Sequence, residues 1–430
     1  MEKLPAEIFN YILNYHSTDK FSLQYCSLVH RNWTVPAQRL LFRSVKRTFD
    51  YMSRHIDRYI SFLTEAESHQ SPIPSYIHYF SFSVCIIYTH QLISLLSHLP
   101  KLKGLGMYDV ELIGGTVILN DIPVQLSLEY FRLMDTTADD NTNWGYSEVM
   151  SLFQHVGKFD IGAVHYTPDP ECESEHKVTV DTLCVREGRV EHFGVVDLES
   201  VRRCIVEVGD VSDVQLIREV AKVTEISHLG IDILSRIPIS LESVASHLAS
   251  TPLDNLDITH LELRARHPSL TPKTSSSTSG MLNFWSSYRP FIFASPSLTN
   301  LHLMMHFSSS DPMDEVDSGS DSENQLNAEL PVIPWNPREV IDRLDWHVLR
   351  ITLQPLRWLR TLSVDFKHDF SDSEEAEGLR VAIQDKFREV TSKEVQLDVF
   401  TSRSLGRDGD EGWVEDRWRL DFMDLYPWVI

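Results

Sequence analysis

Cysteine and glycine are both scarce in this chain. The five cysteines, Cys26, Cys85, Cys172, Cys184 and Cys204, are scattered and odd in number, with no C-x-x-C pair. That argues against a disulfide framework or a zinc site and for reduced thiols inside a cell. The 17 glycines among 430 residues build neither a G-x-x-x-x-G-K-[ST] loop nor a G-x-G-x-x-G turn, so no phosphate-cradling backbone is expected. The double glycine in "LIGGT" at 112–116 reads as a turn. G-x-S-x-G and H-E-x-x-H are missing as well. Among 19 histidines the most tempting cluster, "CESEH" from Cys172 to His176, lacks the second ligand pair a tetrahedral zinc needs. No catalytic residue, metal or cofactor is therefore expected, and the chain does not read as an enzyme. No run approaches the roughly 18 apolar residues of a membrane span, and "MEKLPAEIFN" has no apolar stretch behind a basic start. A cytoplasmic and/or nuclear protein is expected. Cations are few, 39 Lys and Arg against 62 Asp and Glu for a net charge of −23. Such a surface repels phosphate backbones and anionic lipid, so neither nucleic acid nor membrane is expected as a partner.

Apolar residues, by contrast, make up 42% of the chain, enough for two or three domains or one long repeat array. The first 45 residues carry dense helix signals. Pro5 and Glu7 suit the first turn of a helix running to about Tyr15, with Ile8 and Ile12, and Phe9 and Leu13, paired at i,i+4. Ser17, Thr18 and Asp19 offer N-caps for a second helix carrying Leu23, Cys26, Ser27 and Val29. Asn32 is the expected cap of a third, with Pro36 in its first turn and Trp33, Ala37, Leu40 and Leu41 at helical spacing. A unit this small is marginal unless it docks on something larger or merely caps a bigger core.

The order of residues carries a resemblance. Leu4-Pro5-x-Glu7-Ile8, then Ile12-Leu13, Asp19, Leu23, Ser27-Leu28-Val29-x-Arg31-x-Trp33, then Ala37 and Leu40-Leu41-Phe42-Arg43, resembles the F-box, especially the divergent form of mushroom-type fungi. His30 stands where the family often has Cys, and Lys20-Phe21 interrupts the usual Asp-Leu step. The resemblance implies docking on the Skp-type adaptor of a Skp/cullin/F-box ubiquitin ligase. It places Leu4, Pro5, Ile8, Ile12, Leu28, Val29 and Trp33 at or just beneath that interface.

Residues 46–70 read as a linker, with Met52, Ile56, Tyr59, Ile60 and Leu63 at helical spacing. Beyond Pro72 and Pro74 the pattern apolar-x-x-apolar-x-apolar recurs. It begins at 77, 102, 128, 156 and 180, in steps of 25, 26, 28 and 24 residues, and again at 226, 258, 298 and 359. Alone it proves little, since at this hydrophobic content roughly one window in fourteen matches by chance. Several matches, however, follow a helical stretch: "HQLISLLSHLPK", "SEVMSLFQHV", "DVQLIREVAKV", "SLESVASHLAS" and, before "VQLDV" at 395, "EGLRVAIQDKFREVTSK". Helix then strand, repeatedly, points to parallel strands, and the steps fall in the range of leucine-rich repeats. The stretch 71–400 resembles the irregular leucine-rich-repeat region that commonly follows such F-boxes, without the Asn or Cys of the full motif. An α/β domain with a mixed sheet is the alternative. "VEHFGV" at 190, behind the turn "REGR", is expected to form a β-hairpin. Ser/Thr-rich 267–280 reads as a mobile loop, and acidic 308–329 as a disordered insertion. Ser318, Ser320 and Ser371 each precede an acid by three residues and are candidate phosphorylation sites. The aromatic-rich tail 401–430 is expected to cap the array.

The expected fold is thus α/β: a three-helix F-box-like unit over 1–45, then an irregular leucine-rich-repeat-like solenoid with a parallel sheet. In each repeat the first, fourth and sixth positions point inward, leaving the third, fifth and seventh on an exposed, concave strand face. That face would present Tyr108, Tyr130, Arg132, Met134, Lys158, Asp160, His228 and Asp232. It would continue with His260, Glu262, Arg264, Asn300, His302, Met304 and Asp365. Tyr108, Tyr130, Arg132, Met134, His260, Arg264, His302 and Met304 are its candidate contacts with a protein substrate. The implied function is a substrate-recognition adaptor that brings an unknown protein to the cullin ligase core. The alternative is a repeat scaffold for protein interactions outside ubiquitination.

Overall fold

The computed structural model describes residues 6–16, 19–49, 54–114, 126–138, 144–164, 177–186, 193–208, 213, 215–218, 220, 226–233, 258–265, 284–293, 295, 297–307, 341–342, 344–368, 373–392 and 394–403. The chain forms two compact units that divide at Val201 and Arg202, inside the stretch the repeat spacing treats as one array. All strand pairings found among the described residues are parallel, and the fold is α/β.

The first unit opens with three helices, α1 (Ala6–Tyr15), α2 (Lys20–Val29) and α3 (Arg31–Leu41). Asp19 caps α2 as its chemistry predicts, accepting from Ser22 N at 3.1 Å. The start of α3 differs from expectation. His30, in extended conformation, is the cap, its Nδ1 accepting from Asn32 N at 3.1 Å. With the cap two residues earlier, Pro36 falls in the second turn, within the helix. Leu13, Leu23 and Ala37 form a small core, joined by Cys26, Trp33, Leu40 and Leu41.

The sheet of this unit begins at β1 (Ser44–Thr48), ahead of the linker helix α4 (Arg54–Ser68). There follow β2 (Tyr79–Tyr88), α5 (Thr89–Ser97), β3 (Gly104–Ile113), β4 (Leu126–Met134), β5 (Thr137–Ala138), α6 (Trp144–Ser151), β6 (Phe153–Gly162), β7 (Val178–Arg186) and β8 (Val196–Asp197). Neighbours in sequence are neighbours in the sheet: β1, β2, β3, β4, β6, β7, with β5 on β3 and β8 on β7. The repeat pattern places its inward positions as expected. Val45, Phe80, Leu105, Phe131, Phe159 and Leu183 form one ladder row, with Phe131 and Phe159 stacked at 5.3 Å. Of the hairpin strand expected at 190–195, residues 193–195 form a turn and not a strand, and Val196–Asp197 beyond it runs parallel to β7, Val178 opposite Val196.

Four strands share a bend that no residue type announces. Ser83, Tyr108, Met134 and Gly162 are ladder partners, and the residue after each, Val84, Asp109, Asp135 and Ala163, has a positive φ of 59°, 50°, 49° and 48°. Left-handed backbone costs a non-glycine residue about 1–2 kcal/mol. Here it recurs at one level, and pairing resumes past it in the same register, Cys85 with Val110 and Glu111 with Thr137. Glycine is required just before the last bend, where a Cβ on Gly162 would meet Arg186 O at 2.7 Å.

The second unit repeats the scheme: β9 (Arg203–Val208), β10 (His228–Ile233), β11 (His260–Ala265), α7 (Phe284–Phe293), β12 (Asn300–Phe307), α8 (Trp346–Leu353), β13 (Thr361–His368), α9 (Ser373–Val390) and β14 (Gln396–Arg403). Its strands also pair in sequence order. Cys204, Leu229, Leu261, Leu301, Leu362 and Leu397 make one inward row. The segments 240–250, 267–280 and 308–329, the hairpin residues 187–192 and the tail from 404 lie outside the described residues.

Candidate functional site

The exposed apolar residues gather on the first three helices. Among the described residues, eight of thirteen exposed large hydrophobic side chains lie between Ile8 and Val35. On α2 they form a stripe: Phe21, Tyr25, Leu28 and Val29, at i, i+4, i+7 and i+8, are 75%, 69%, 77% and 74% exposed. Leu23 and Ser27, on the opposite face, are buried. The helix is therefore apolar on two sides, one spent on the small core and one open. Tyr11 and Tyr15 on α1 extend the open surface. Isolated exposed apolar side chains are ordinary, whereas a contiguous stripe marks a binding surface.

The residues the resemblance points to separate on this structure. Ile8, Leu28 and Val29 are exposed, Ile12 is half-buried, and Trp33 packs against the core. Leu4 and Pro5 lie outside the described residues. Sequence reasoning missed Tyr11, Tyr15, Phe21, Tyr25 and Val35. The second apolar spacing along α2 was the signal that could have found Phe21 and Tyr25.

The polar strand face of the first unit is less open than the alternation predicts. Tyr130 and Arg132 are buried, as is Asp160, because the long side chains lie along the sheet and pair across strands. Arg132, on β4, faces Asp160, its ladder partner on β6. Arg132 Nε and Nη2 donate to Asp160 Oδ2 at 2.9 and 2.6 Å, and Nη1 donates to Tyr108 Oη at 3.0 Å. Arg186 Nε donates to Asp160 Oδ1 at 3.1 Å, and Tyr130 Oη to Oδ2 at 3.3 Å. Burial alone would raise the Asp160 carboxyl, but the Arg132 and Arg186 guanidiniums and the Lys158 ammonium outweigh it and hold it well below the usual range. Burial in turn holds the Lys158 ammonium below its ordinary value. At neutral pH the carboxylate is charged and neutralised, a fixing point for four strands. Tyr108 and Met134 remain partly accessible.

On the second unit a buried carboxylate again gathers basic groups. Glu262 Oε2 lies 3.6 Å from both Arg203 Nη2 and His228 Nε2, and Oε1 lies 3.3 Å from His302 Nδ1. Met304, expected on the accessible face, is buried, while His260 is exposed and His302 half-buried. The Arg264 side chain lies outside the described residues, as do Ser318, Ser320 and Ser371. His260 stacks on His228 at 5.5 Å. Asn300 Nδ2 donates to His260 Nε2 at 2.9 Å, and Thr259 Oγ1, itself donating to Ser227 O, lies 2.9 Å from Nδ1. Both ring nitrogens are thus matched to a neutral imidazole. Burial first, then His228 and Arg203, pushes the His260 pKa below its ordinary value. Its NMR titration is expected to have a midpoint below about 6.5. Because the folded state disfavours the proton, the stabilising contribution is full above the unfolded value and falls as pH drops through the interval below it. In His260→Gln that portion of the acid loss should vanish.

Among the described residues no group of three or more His, Cys, Asp or Glu is arranged to hold a metal ion. No described helix is long and apolar enough to cross a membrane. No protein-family model matches the chain, and no curated protein matches its sequence.

Proposed function

We propose that the chain is the substrate-recognition adaptor of a Skp/cullin/F-box-type ubiquitin ligase, acting in the cytoplasm and/or nucleus. The observation that carries this reading is the open stripe Phe21, Tyr25, Leu28, Val29 on α2, on the same three short helices that carry the F-box-like order of residues. A marginal helical unit that exposes this much apolar surface is built to share it with a partner. In this reading the Skp-type adaptor covers the stripe, and a protein substrate meets accessible strand-face residues, Tyr108 and Met134 on the first unit or His260 and His302 on the second. The chain itself supplies position: held near the ligase core, acceptor lysines of the substrate reach a high effective concentration.

The test is capture of the full chain by a purified Skp-type adaptor. Wild type is expected to bind, and Leu28→Asp/Val29→Asp to bind at least about 100-fold more weakly, as loss of an interface hot spot does. Both side chains are exposed, so stability should stay within about 0.5 kcal/mol per substitution, with an unchanged circular dichroism spectrum. A folded wild type that is not captured rejects the adaptor reading and leaves a scaffold for other protein interactions.

A further inference from the structure

Between α2, the end of α3, β1 and α4 lies an open cleft of about 650 Å³, within the roughly 300–1,000 Å³ of small-molecule sites. Phe21, Leu41, Phe42, Tyr59, Phe62 and Ile73 give it apolar walls, and among the described residues no carboxylate lines it. Lys20 and Arg47 do. In a chain of net charge −23, the cleft inverts the general sign of the surface.

The placement of Arg47 is unusual for a sheet. In the ladder it pairs with Phe82, and the row continues through Met107, Leu133, Ile161 and Val185, all buried. The position thus belongs to the core-facing row, where the other strands place apolar side chains. Its guanidinium lies over the Tyr59 ring, 5.5 Å from the centroid. Lys20 reaches the same place from α2, Nζ donating to Ser44 O at 2.8 Å. Burial and then the Arg47 charge push the Lys20 ammonium below its ordinary value. Among the described residues neither cation has a carboxylate partner. Charges on an edge strand commonly guard it against pairing with another chain. Lys46, Arg47 and Thr48 are exposed and can serve that role, but guarding an edge requires neither an apolar cleft nor a lysine from a helix.

We propose that this cleft binds an amphiphilic carboxylate of the fatty-acid type, its acidic head between Lys20 and Arg47 and its chain against Tyr59, Phe62 and Ile73. A guanidinium and an ammonium converging without a counter-charge suit an anionic head, and the apolar walls suit an unbranched body. The site borders the exposed stripe, sharing Phe21 with it, but its charged end at Lys20 and Arg47 lies outside the stripe and the proposal does not depend on adaptor docking.

Calorimetric titration of the full chain with decanoate and with decanol tests the proposal. Decanoate is expected to bind one to one and about tenfold or more tighter than decanol, the worth of one charge-assisted hydrogen bond. Arg47→Gln and Lys20→Gln should each weaken decanoate about fivefold or more and leave decanol unchanged. Leu28→Asp/Val29→Asp should change neither. If either Gln variant loses its circular dichroism spectrum, Arg47→Lys replaces it, with decanoate affinity expected to fall about threefold or more, since an ammonium cannot stack on Tyr59 or grip a carboxylate with two donors, and decanol binding unchanged. Equal affinity for the two probes, or decanoate binding indifferent to both charges, overturns the proposal. So does loss of binding in Leu28→Asp/Val29→Asp, which would put the apolar chain on the exposed helix face.

Discussion

Replacing Arg132 by Met is expected to destabilise the protein by about 3–5 kcal/mol, the cost of stranding a buried charge. The Asp160 side chain is 1% exposed, and two of its shortest contacts come from Arg132. Arg186, whose side chain is more exposed, would be left to neutralise it at 3.1 Å, and Tyr108 Oη would lose its donor. The urea midpoint at neutral pH should fall with little change in slope. Arg132→Met/Asp160→Leu should recover part of the loss, because no carboxylate is then buried short of a partner. Acid should narrow the gap between wild type and Arg132→Met. The folded carboxyl titrates below its unfolded value of about 3.9, so the pairing contributes fully above that value and is lost as pH falls toward the folded one. A deficit under about 1 kcal/mol, unchanged by acid, would show that Asp160 does not depend on Arg132.

Trp285→Ala is expected to cost a similar amount, about 3–5 kcal/mol, by a different route: the indole leaves a cavity that its surroundings cannot close. Trp285 on α7 is fully buried. It lies 5.5 Å from Trp346 of α8 and 5.7 Å from Phe387 of α9, centroid to centroid, and these two rings meet each other edge-on at 5.1 Å. Its backbone N–H also holds Asp345 Oδ1 at 2.8 Å. Near-ultraviolet circular dichroism should lose intensity, and urea unfolding should begin earlier. Trp285→Phe, which keeps a ring in the gap, should retain more than half of the lost stability. Equal losses in the two variants would mean that packing among these helices is not what Trp285 supports.

The strands were largely legible before any coordinates. The spacing apolar-x-x-apolar-x-apolar begins two residues ahead of β2, β3, β10, β11, β12 and β13, because burial on one sheet face recurs at every second residue. β9 hid behind Cys204: "VRRCIV" from 201 fits the pattern only if cysteine counts as apolar, and Cys204 is fully buried. β1 stayed hidden because the inward position after Val45 is Arg47, where the cleft replaces a core. The repeated bend was not legible, since Val84, Asp109, Asp135 and Ala163 have no side chain in common and the constraint lies in the backbone. Alternation also placed Tyr130, Arg132 and Met304 on the correct face but mistook that face for an open one. Which way a side chain points follows from the period of the strand, whereas what lies down on top of it depends on partners 20 or more residues away. Helix α2 posed the reverse problem, as two apolar spacings share ten residues and only the packing tells which one is buried.

Strict sequence order of the strands within each unit bears on how the chain acquires its fold. A strand leaving the ribosome needs only the strand made just before it as a template, so each unit can grow outward in the order of synthesis. Each addition still waits for a loop to close. The steps from His228 to His260, His260 to Asn300 and Asn300 to Thr361, ladder partners throughout, are 32, 40 and 61 residues. Closure entropy rises only logarithmically, so nearly doubling the shortest of these costs under about 1 kcal/mol. Material can therefore accumulate between strands with little thermodynamic penalty. The burden falls on speed, because contacts this distant in sequence make for slow folding and leave an unfinished edge exposed to other chains while the next strand arrives.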